Sequence, residues 1–348
     1  MSNSVVITSA ARTAVGSLNK TLKNTHGYEL GSTVIDEVVK RSNLKTNEID
    51  EVIMGQVLTG GAGQNPARQA AIKSGIPKEK PAYIVNQVCG SGIRSIASAY
   101  QSIVAGDSKV VVAGGQESMS MSPHAIHLRD GKKLGDAEII DTMIRDGLWD
   151  AFHGYHMGIT AENVAEKFQV TRNEQDKFAF KSQEKALKAQ KENKFAEEIV
   201  NYKIKSKKAE INFNKDEHPR DGVNLETLSR LKPVFKKDGT VTAGNASGIN
   251  DGAAAVVIMS DNEAEKRNIE KLVSIKSWAS CGVDPALMGT GPIPSAKKAL
   301  DLAGWIAKDV DLFEINEAFA AQSIAVIKTL SVPEEKVNVN GGAIALGH

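Results

Sequence analysis

The chain has 348 residues, of which 41% are hydrophobic and 24% are charged, so it is long enough for two ordinary domains with substantial cores. Lysine and arginine total 43 against 42 aspartate and glutamate residues, a balance that argues against binding to nucleic acid or to an anionic membrane. Two cysteines cannot form a disulfide framework, the first residues have no signal-peptide core, and no apolar run approaches the ~20 residues of a membrane span. We therefore expect a cytoplasmic protein with a small-molecule partner.

Short β-rich runs alternate with amphipathic stretches over the first hundred residues, which is the pattern of a parallel sheet covered by crossover helices. The third helix is the clearest, because its apolar residues recur at spacings of three and four and Gly106 follows as a C-terminal cap. The predicted strands are residues 4–10, 51–57, 82–88 and 109–115, and the predicted helices lie near residues 29–43, 65–74 and 93–105.

Residues 119–247 interrupt this alternation and predict a mostly helical insertion. Its first part, residues 119–135, has no sustained period and predicts a loop. Thr171 and Glu174 have the spacing of a capping box, which predicts a charged helix that extends to about residue 193. The apolar run at residues 253–260 then supplies a buried strand that finishes the first half.

The order of strands and helices returns after residue 270, where LVSIKSWASCGVD echoes the earlier VVITSAARTAVG. This repeat predicts two similar α/β halves. Where the first half continues with a helix and another strand, the sequence stops at His348, so we expect a truncated second half with an unpaired sheet edge. The predicted units are an N-terminal half at 1–118 plus 248–271, an inserted loop domain at 119–247 and a C-terminal half at 272–348.

Cys89 lies in the segment CGSG, which joins a predicted strand to the third helix. Free backbone N–H groups and the helix dipole at such a position stabilise a thiolate and lower the pKa of the thiol. A small buried cysteine is the alternative interpretation. The glycine-flanked turn favours a nucleophile that a substrate can approach closely.

Two further strand ends carry polar side chains. Asn316 either caps the following helix or points into the crevice where α/β sheets bind ligands. His348 follows a strand and two glycines, the repeat places it beside the Cys89 segment, and imidazole is the usual base for a thiol near neutral pH. The Gly-, Asn- and Ser-rich segment 240–255 is either a tight turn or a surface that lies against a ligand.

Several long motifs, taken together and in order, resemble the thiolase family over residues 5–348. The resemblance implies a five-layered α-β-α-β-α fold of two similar halves with an inserted loop domain. It also implies an acyltransferase that condenses two acetyl-CoA molecules to acetoacetyl-CoA and CoA, or catalyses the reverse thiolysis, without a bound cofactor or metal. The motifs are NQVCGSGIRS, GGQESMS, GYHMGITAENVA, TAGNASGINDGAA, GTGPIPS, EINEAFAAQ and NVNGGAIALGH.

The resemblance also implies roles for individual residues. By the family pattern, Cys89 is the acyl-accepting nucleophile, His348 activates its thiol, and Asn316 holds a water that helps to bind the thioester oxygen. The residues implied to bind CoA and substrate are His156, Met157, Leu148, Arg220, Ala243, Ser247, Ala318 and Phe319.

One part of the family pattern has no match in this sequence. The family carries a second catalytic cysteine in a glycine-rich CxGGGxG segment, and Cys281 lies in no cysteine motif of the family. We therefore expect an inactive fragment. The resemblance further implies a homotetramer, a dimer of dimers paired through the loop at residues 119–135.

Two alternative functions remain open. A degradative 3-ketoacyl-CoA thiolase shares the same chemistry with longer acyl chains, although GYHMG at residues 154–158 resembles the short-chain branch, in which the residue matching His156 narrows the acyl pocket. The other alternative is a CoA-binding protein without catalysis, since the second catalytic cysteine is unmatched.

Overall fold

The computed structural model describes residues 4–205 and 210–348. The strands are β1 (Val5–Thr13), β2 (Gly16–Ser17), β3 (Glu51–Gly55), β4 (Ala82–Val85), β5 (Val110–Ser118), β6 (His124–Ala125), β7 (Ile140–Asp141), β8 (Trp149–Asp150), β9 (Tyr155–His156), β10 (Ile199–Val200), β11 (Tyr202–Lys205), β12 (Glu210–Phe213), β13 (Asn250–Ser260) and β14 (Val273–Ile275). The α-helices are α1 (Gly27–Arg41), α2 (Pro66–Lys73), α3 (Ser91–Ala105), α4 (Met157–Lys167), α5 (Arg172–Lys191), α6 (Leu225–Ser229), α7 (Asp261–Arg267), α8 (Pro292–Ala303), α9 (Ala320–Leu330) and α10 (Ala343–Leu346).

The centre of the first half is an eight-stranded sheet whose main path runs β10-β1-β13-β5-β3-β4. All five strands predicted in this half are confirmed, but the sheet is mixed rather than parallel. Strands β3, β4 and β5 are parallel to one another, whereas β13 lies between β1 and β5 and is antiparallel to both. β13 follows the insertion in the chain, and the local periodicity of a sequence does not indicate which distant strand it pairs with.

Each face of this sheet packs against its own helices, because side chains alternate along a strand. Val110 and Val112 of β5 belong to the buried cluster formed with α1 and α2. Val111 and Ala113, one residue out of phase, belong to the cluster formed with α3. The predicted cap of α3 is confirmed, since Gly106 ends the helix with a φ of +86°.

The inserted residues form helices, short hairpins and irregular chain. The capping box that begins α5 is confirmed: the Thr171 hydroxyl accepts from Glu174 N, and the Glu174 carboxylate accepts from Thr171 N at 2.7 Å. Residues 119–135 are mostly irregular, as predicted, apart from the two-residue strand β6. The predicted limits of the three units stay predictions.

The repeat predicts helices near residues 295–304 and 317–330 in the second half, and α8 and α9 confirm them, but the described residues of this half do not form the predicted sheet. Helix α9 is buried along most of its length and packs against α4, α5 and α8, with Lys328 and Thr329 exposed near its end. Within the described residues 272–348, strand β14 pairs with β1 and so belongs to the first sheet. Residues 313 and 337 form an isolated parallel bridge. Among the described helices, none is both long and apolar enough to cross a membrane.

Candidate active site

Cys89 lies in a strained turn between β4 and α3. The preceding residue, Val88, has a φ of +48°, a left-handed conformation that costs a β-branched residue about 1–3 kcal/mol. Ser91 holds this turn, because its hydroxyl donates to Val88 O at 2.6 Å and accepts from Gln87 N at 2.9 Å. The turn leaves the surface of Cys89 open to solvent, although protein atoms on its other sides lie close enough to the sulfur to desolvate a thiolate.

The start of α3 packs directly on the sheet, because two strand residues have no side chain. A Cβ at Gly55 would lie 2.4 Å from the carbonyl carbon of Ser91. A Cβ at Gly115 would lie 3.5 Å from the Cα of Gly92. The sheet therefore fixes the position of the helix start, and with it that of Cys89.

The pKa of Cys89 differs from the sequence prediction. The prediction of a lowered pKa considered only the helix terminus, but the protein around the sulfur desolvates the thiolate, and this burial raises the pKa of the Cys89 thiol. A backbone hydrogen bond opposes the shift without reversing it. Cys89 therefore rests as a thiol near neutral pH and needs a base.

His348 and Asn316 contact each other directly. Asn316 Nδ2 lies 3.0 Å from His348 Nε2, and the amide donates, so Nε2 accepts and the imidazole carries its proton on Nδ1. Burial lowers the pKa of His348, which keeps the ring neutral at pH 7. A neutral imidazole, which has one unprotonated nitrogen, is the form that can accept a proton from a thiol.

Cys89 and His348 lie at the same end of the central sheet. The parallel strands β3, β4 and β5 all end there, and Cys89 follows β4. The antiparallel strand β13 begins at that end with Asn250, whose Oδ1 accepts from His348 N at 3.1 Å. The topology of one sheet therefore places Cys89 and His348 at the same end of its strands.

His156 is part of an uncharged aromatic wall, which it forms with Phe235 and Phe319. Its Nδ1 accepts from Gly158 N at 3.0 Å, which places the ring proton on Nε2. Its ring stacks on Phe235 with centroids 4.6 Å apart, and Phe235 meets Phe319 edge to face at 6.3 Å. Burial lowers the pKa of His156, so the ring is neutral at pH 7.

The segment after the predicted strand end at Asn316 pairs with the Gly- and Ser-rich turn. Ser247 N donates to Ala318 O at 3.0 Å, and Ala320 N donates to Asn245 O at 2.9 Å. Met157, Ala318 and Phe319 share one apolar cluster with Val241 and Ala161. The structure thus brings together five of the predicted binding residues, namely His156, Met157, Ser247, Ala318 and Phe319.

Three predicted binding residues lie apart from this cluster. Leu148 ends a π-helical turn, Met143–Leu148, and is half-buried. Arg220 is exposed and is tied down through its backbone N–H, which donates to Gln183 Oε1 at 3.0 Å. Ala243 is exposed on the turn. Their roles stay predictions, and an exposed position suits contact with the outer part of an extended ligand.

Glu317 is a buried side chain for which the sequence predicted no role. It directly follows Asn316 and is 1% exposed, and three hydrogen-bond donors converge on its carboxylate. An acidic residue within the otherwise apolar run after Asn316 was the available signal. By contrast, Cys281 has a backbone N–H that donates to Ser295 Oγ at 3.1 Å, and among the described residues the hydrogen bonds of His348 go to Asn316 and Asn250 rather than to Cys281.

Across residues 4–205 and 210–348, no group of three or more histidine, cysteine, aspartate or glutamate side chains is placed to hold a metal ion.

Comparisons with known proteins fit this geometry. Family models described as the N-terminal and C-terminal thiolase domains match residues 5–262 and 269–348. The chain is 59% identical to an acetyl-CoA acetyltransferase of Rhizobium meliloti, over 100% of this chain and 89% of that protein. It is 54% identical to a cytosolic acetyl-CoA acetyltransferase of Rattus norvegicus, over 100% of this chain and 88% of that protein.

A solved structure supports the fold. The crystal structure of the Bacillus anthracis acetyl-CoA acetyltransferase superposes with a TM-score of 0.97 and 46% identity, covering 99% of this chain and 88% of that chain. Both family domains are matched, so the comparisons give no support to the prediction of a truncated second half or to that of an inactive fragment.

Proposed function

Because this chain belongs to the thiolase family, we propose that it transfers acetyl groups between CoA thioesters through Cys89. The observation that carries this proposal is the contact of Asn316 with His348, at the end of the sheet from which Cys89 emerges. The relatives named acetyl-CoA acetyltransferase support acetyl-CoA, acetoacetyl-CoA and CoA as the substrates and products. No bound cofactor is required by this chemistry.

In the first half-reaction, His348 Nε2 takes the proton from the Cys89 thiol, and the thiolate attacks the carbonyl carbon of acetyl-CoA. The tetrahedral intermediate then expels the CoA thiolate, which takes the proton from the His348 imidazolium, and acetyl-Cys89 remains. Both partners are neutral at rest, because burial raises the pKa of the thiol and lowers that of the imidazole. The imidazolium formed by the transfer stabilises the thiolate before attack.

Asn316 has two successive tasks in this proposal. At rest its amide donates to the same nitrogen, His348 Nε2, that must receive the thiol proton. When the substrate displaces this contact, the amide becomes available, directly or through a water, to the developing oxyanion of the thioester. Removing one oxyanion donor typically costs about 10²–10³ in rate.

The second half-reaction completes a ping-pong cycle. For synthesis, the carbanion of a second acetyl-CoA attacks acetyl-Cys89 and gives acetoacetyl-CoA; for thiolysis, Cys89 first cleaves acetoacetyl-CoA, and CoA then attacks acetyl-Cys89. This step needs a further proton donor or acceptor. The family pattern assigns that task to a second cysteine that is unmatched in this sequence, and no step is assigned to Cys281.

A short acyl chain suits the aromatic wall. The stacked rings of His156 and Phe235 and the edge contact with Phe319 form a stiff, uncharged surface, and a Cβ at Gly158 would already lie 2.2 Å from the Phe235 ring. Such close packing leaves little freedom to widen the pocket for longer chains. We therefore favour acetyl transfer over a broader 3-ketoacyl range.

We further propose a homotetramer in the cytoplasm. The loop region after β5 exposes large apolar side chains, including Leu134 at 92% and Ile139 at 65%, and such a surface favours association. The printed name of the Rattus norvegicus relative, a cytosolic enzyme, supports the location. Light scattering on the purified protein tests the assembly.

The test of the catalytic proposal is the mass of the protein after brief incubation with acetyl-CoA. We expect the mass of one acetyl group on the peptide that contains Cys89, the same result for Cys281→Ala, and no adduct for Cys89→Ala. Binding of acetyl-CoA without any adduct would contradict the proposal and favour a CoA-binding protein without catalysis. Equal labelling by longer acyl-CoA thioesters would favour the broader 3-ketoacyl range.

A further inference from the structure

Three donors converge on the buried carboxylate of Glu317. Its Oε2 accepts from Ser182 Oγ at 2.7 Å and from Ile344 N at 3.1 Å. Its Oε1 accepts from Asn338 Nδ2 at 2.8 Å. These donors come from α5, from α10 and from the segment before Gly341, so one side chain ties three parts of the chain together.

The same carboxylate supports the turn that carries His348. Helix α10 begins one residue before Ile344 and ends two residues before His348. A Cβ at Gly342 would lie 2.2 Å from the Glu317 carboxyl carbon, so this turn packs directly on the carboxylate. Ser182 completes the contact, since its hydroxyl accepts from Gly342 N at 3.1 Å.

Glutamate is the only common side chain of this length that satisfies these donors, because both oxygens of its carboxylate accept hydrogen bonds. Asn338 has no freedom to turn its amide, because its Oδ1 accepts from Ile315 N and its Nδ2 donates to Ile315 O, both at 2.8 Å. A glutamine at position 317 would therefore point its NH₂ group at another donor, either Asn338 Nδ2 or the pair Ser182 Oγ and Ile344 N. Leaving such buried donors unmatched is costly.

We propose that Glu317 is a positioning residue that sets the contact of Asn316 with His348. Asn316 is its neighbour in the chain, and His348 is carried by the turn that Glu317 holds, so the carboxylate fixes both ends of the 3.0 Å contact. This proposal rests on the proposed function, because it assumes that this contact affects the rate of Cys89 acetylation. Glu317 itself touches neither Cys89 nor His348 in the described residues.

The first test compares Glu317→Gln with the matched control Glu334→Gln. Glu334 lies in the same half and also bonds to a residue of α5, with its carboxylate 2.7 Å from Lys181 Nζ, but on the exposed surface. A displacement of about 1 Å at a reacting group can cost about 10²-fold in rate. We expect Glu317→Gln to lower the single-turnover rate of Cys89 acetylation about 10- to 100-fold, and Glu334→Gln to leave it unchanged.

The half-saturating concentration of acetyl-CoA separates positioning from a general loss of structure. We expect it to stay the same in Glu317→Gln, because none of the predicted CoA-binding residues contacts the carboxylate among the described residues. An equal loss of binding and rate, or a rate equal to that of wild type, overturns the proposal.

A second readout does not depend on activity. Nitrogen NMR of labelled histidine, with His348→Ala used for assignment, reports the protonated ring nitrogen of His348. We expect a neutral ring with the proton on Nδ1 in the wild-type protein and in Glu334→Gln, and a changed signal in Glu317→Gln. If wild-type protein never acetylates, the proposed function fails, but this signal still decides the positioning role.

Ser182→Ala covers the case in which Glu317→Gln does not fold. It removes one donor to Glu317 and the acceptor of Gly342 N, while leaving the carboxylate in place. We expect the His348 signal to change in the same direction as in Glu317→Gln. The acetylation rate should fall only about 3- to 10-fold below wild type, because His348 should move less than when the carboxylate is lost. An unchanged His348 signal in a folded Ser182→Ala protein overturns the proposal.

Discussion

The pH dependence of Cys89 reactivity distinguishes two physical effects at the same sulfur. A helix N-terminus favours the thiolate, whereas desolvation by the surrounding protein favours the thiol, and in the structure burial raises the pKa of Cys89. A free thiol with a pKa near 8.5 is about 3% thiolate at pH 7, and a pKa lowered by two units would make it about 75% thiolate. We expect the thiolate fraction of Cys89 at pH 7 to lie below about 3%.

The assay is the rate of alkylation by iodoacetamide between pH 6 and pH 10, measured in a Cys281→Ala background so that only Cys89 reacts. A thiolate of low pKa is also a weaker nucleophile, so the rate at one pH is ambiguous and the midpoint of the profile decides. We expect the midpoint to lie above that of a free cysteine peptide. A midpoint below that of the peptide refutes the reasoning and shows that the helix terminus outweighs burial.

Three further outcomes follow from the geometry. His348→Ala should lower the rate of Cys89 acetylation about 10²–10⁴-fold, because the thiol loses its base, and quenched single-turnover mass analysis measures this. Gly158→Ala should destabilise the fold by about 1–3 kcal/mol, because its Cβ would clash with the Phe235 ring. Urea unfolding measures this loss, and Gly282→Ala is the control because nothing lies within 4 Å of a Cβ at that position. Thr171→Ala should cost about 1 kcal/mol in the same assay through loss of the α5 cap.

Local signals in the sequence predicted the elements of the first half well. The spacing of apolar residues gave α3, Gly106 gave its end, and the capping box at Thr171 gave the start of α5. The order and direction of the strands depend instead on contacts between distant segments. β13 follows β5 by more than a hundred residues in the chain yet lies beside it in the sheet, and no local pattern encodes that pairing.

The sequence indicated which residues form the candidate site but not the electrostatics of that site. Strand ends and motifs indicated Cys89, Asn316 and His348. The raised pKa of Cys89 and the role of Glu317 depend on what the fold packs around each group, and their partners lie far away in sequence. An isolated acidic residue at a strand end has the same sequence signal whether it is solvated or holds three buried donors.

The second half shows how side chains can take the place of a ladder. In the first half, β13 and β5 separate β1 from β3 and bond to both neighbours. The described part of residues 311–340 has only isolated bridges, one from Phe319 to Ala246 and one from Phe313 to Val337. A two-stranded pairing is marginal by itself. Asn338 extends it, because its amide makes both of the hydrogen bonds to Ile315 that a neighbouring backbone would make. The same amide orients Glu317, so the local stability of this pairing and the position of His348 depend on one side chain.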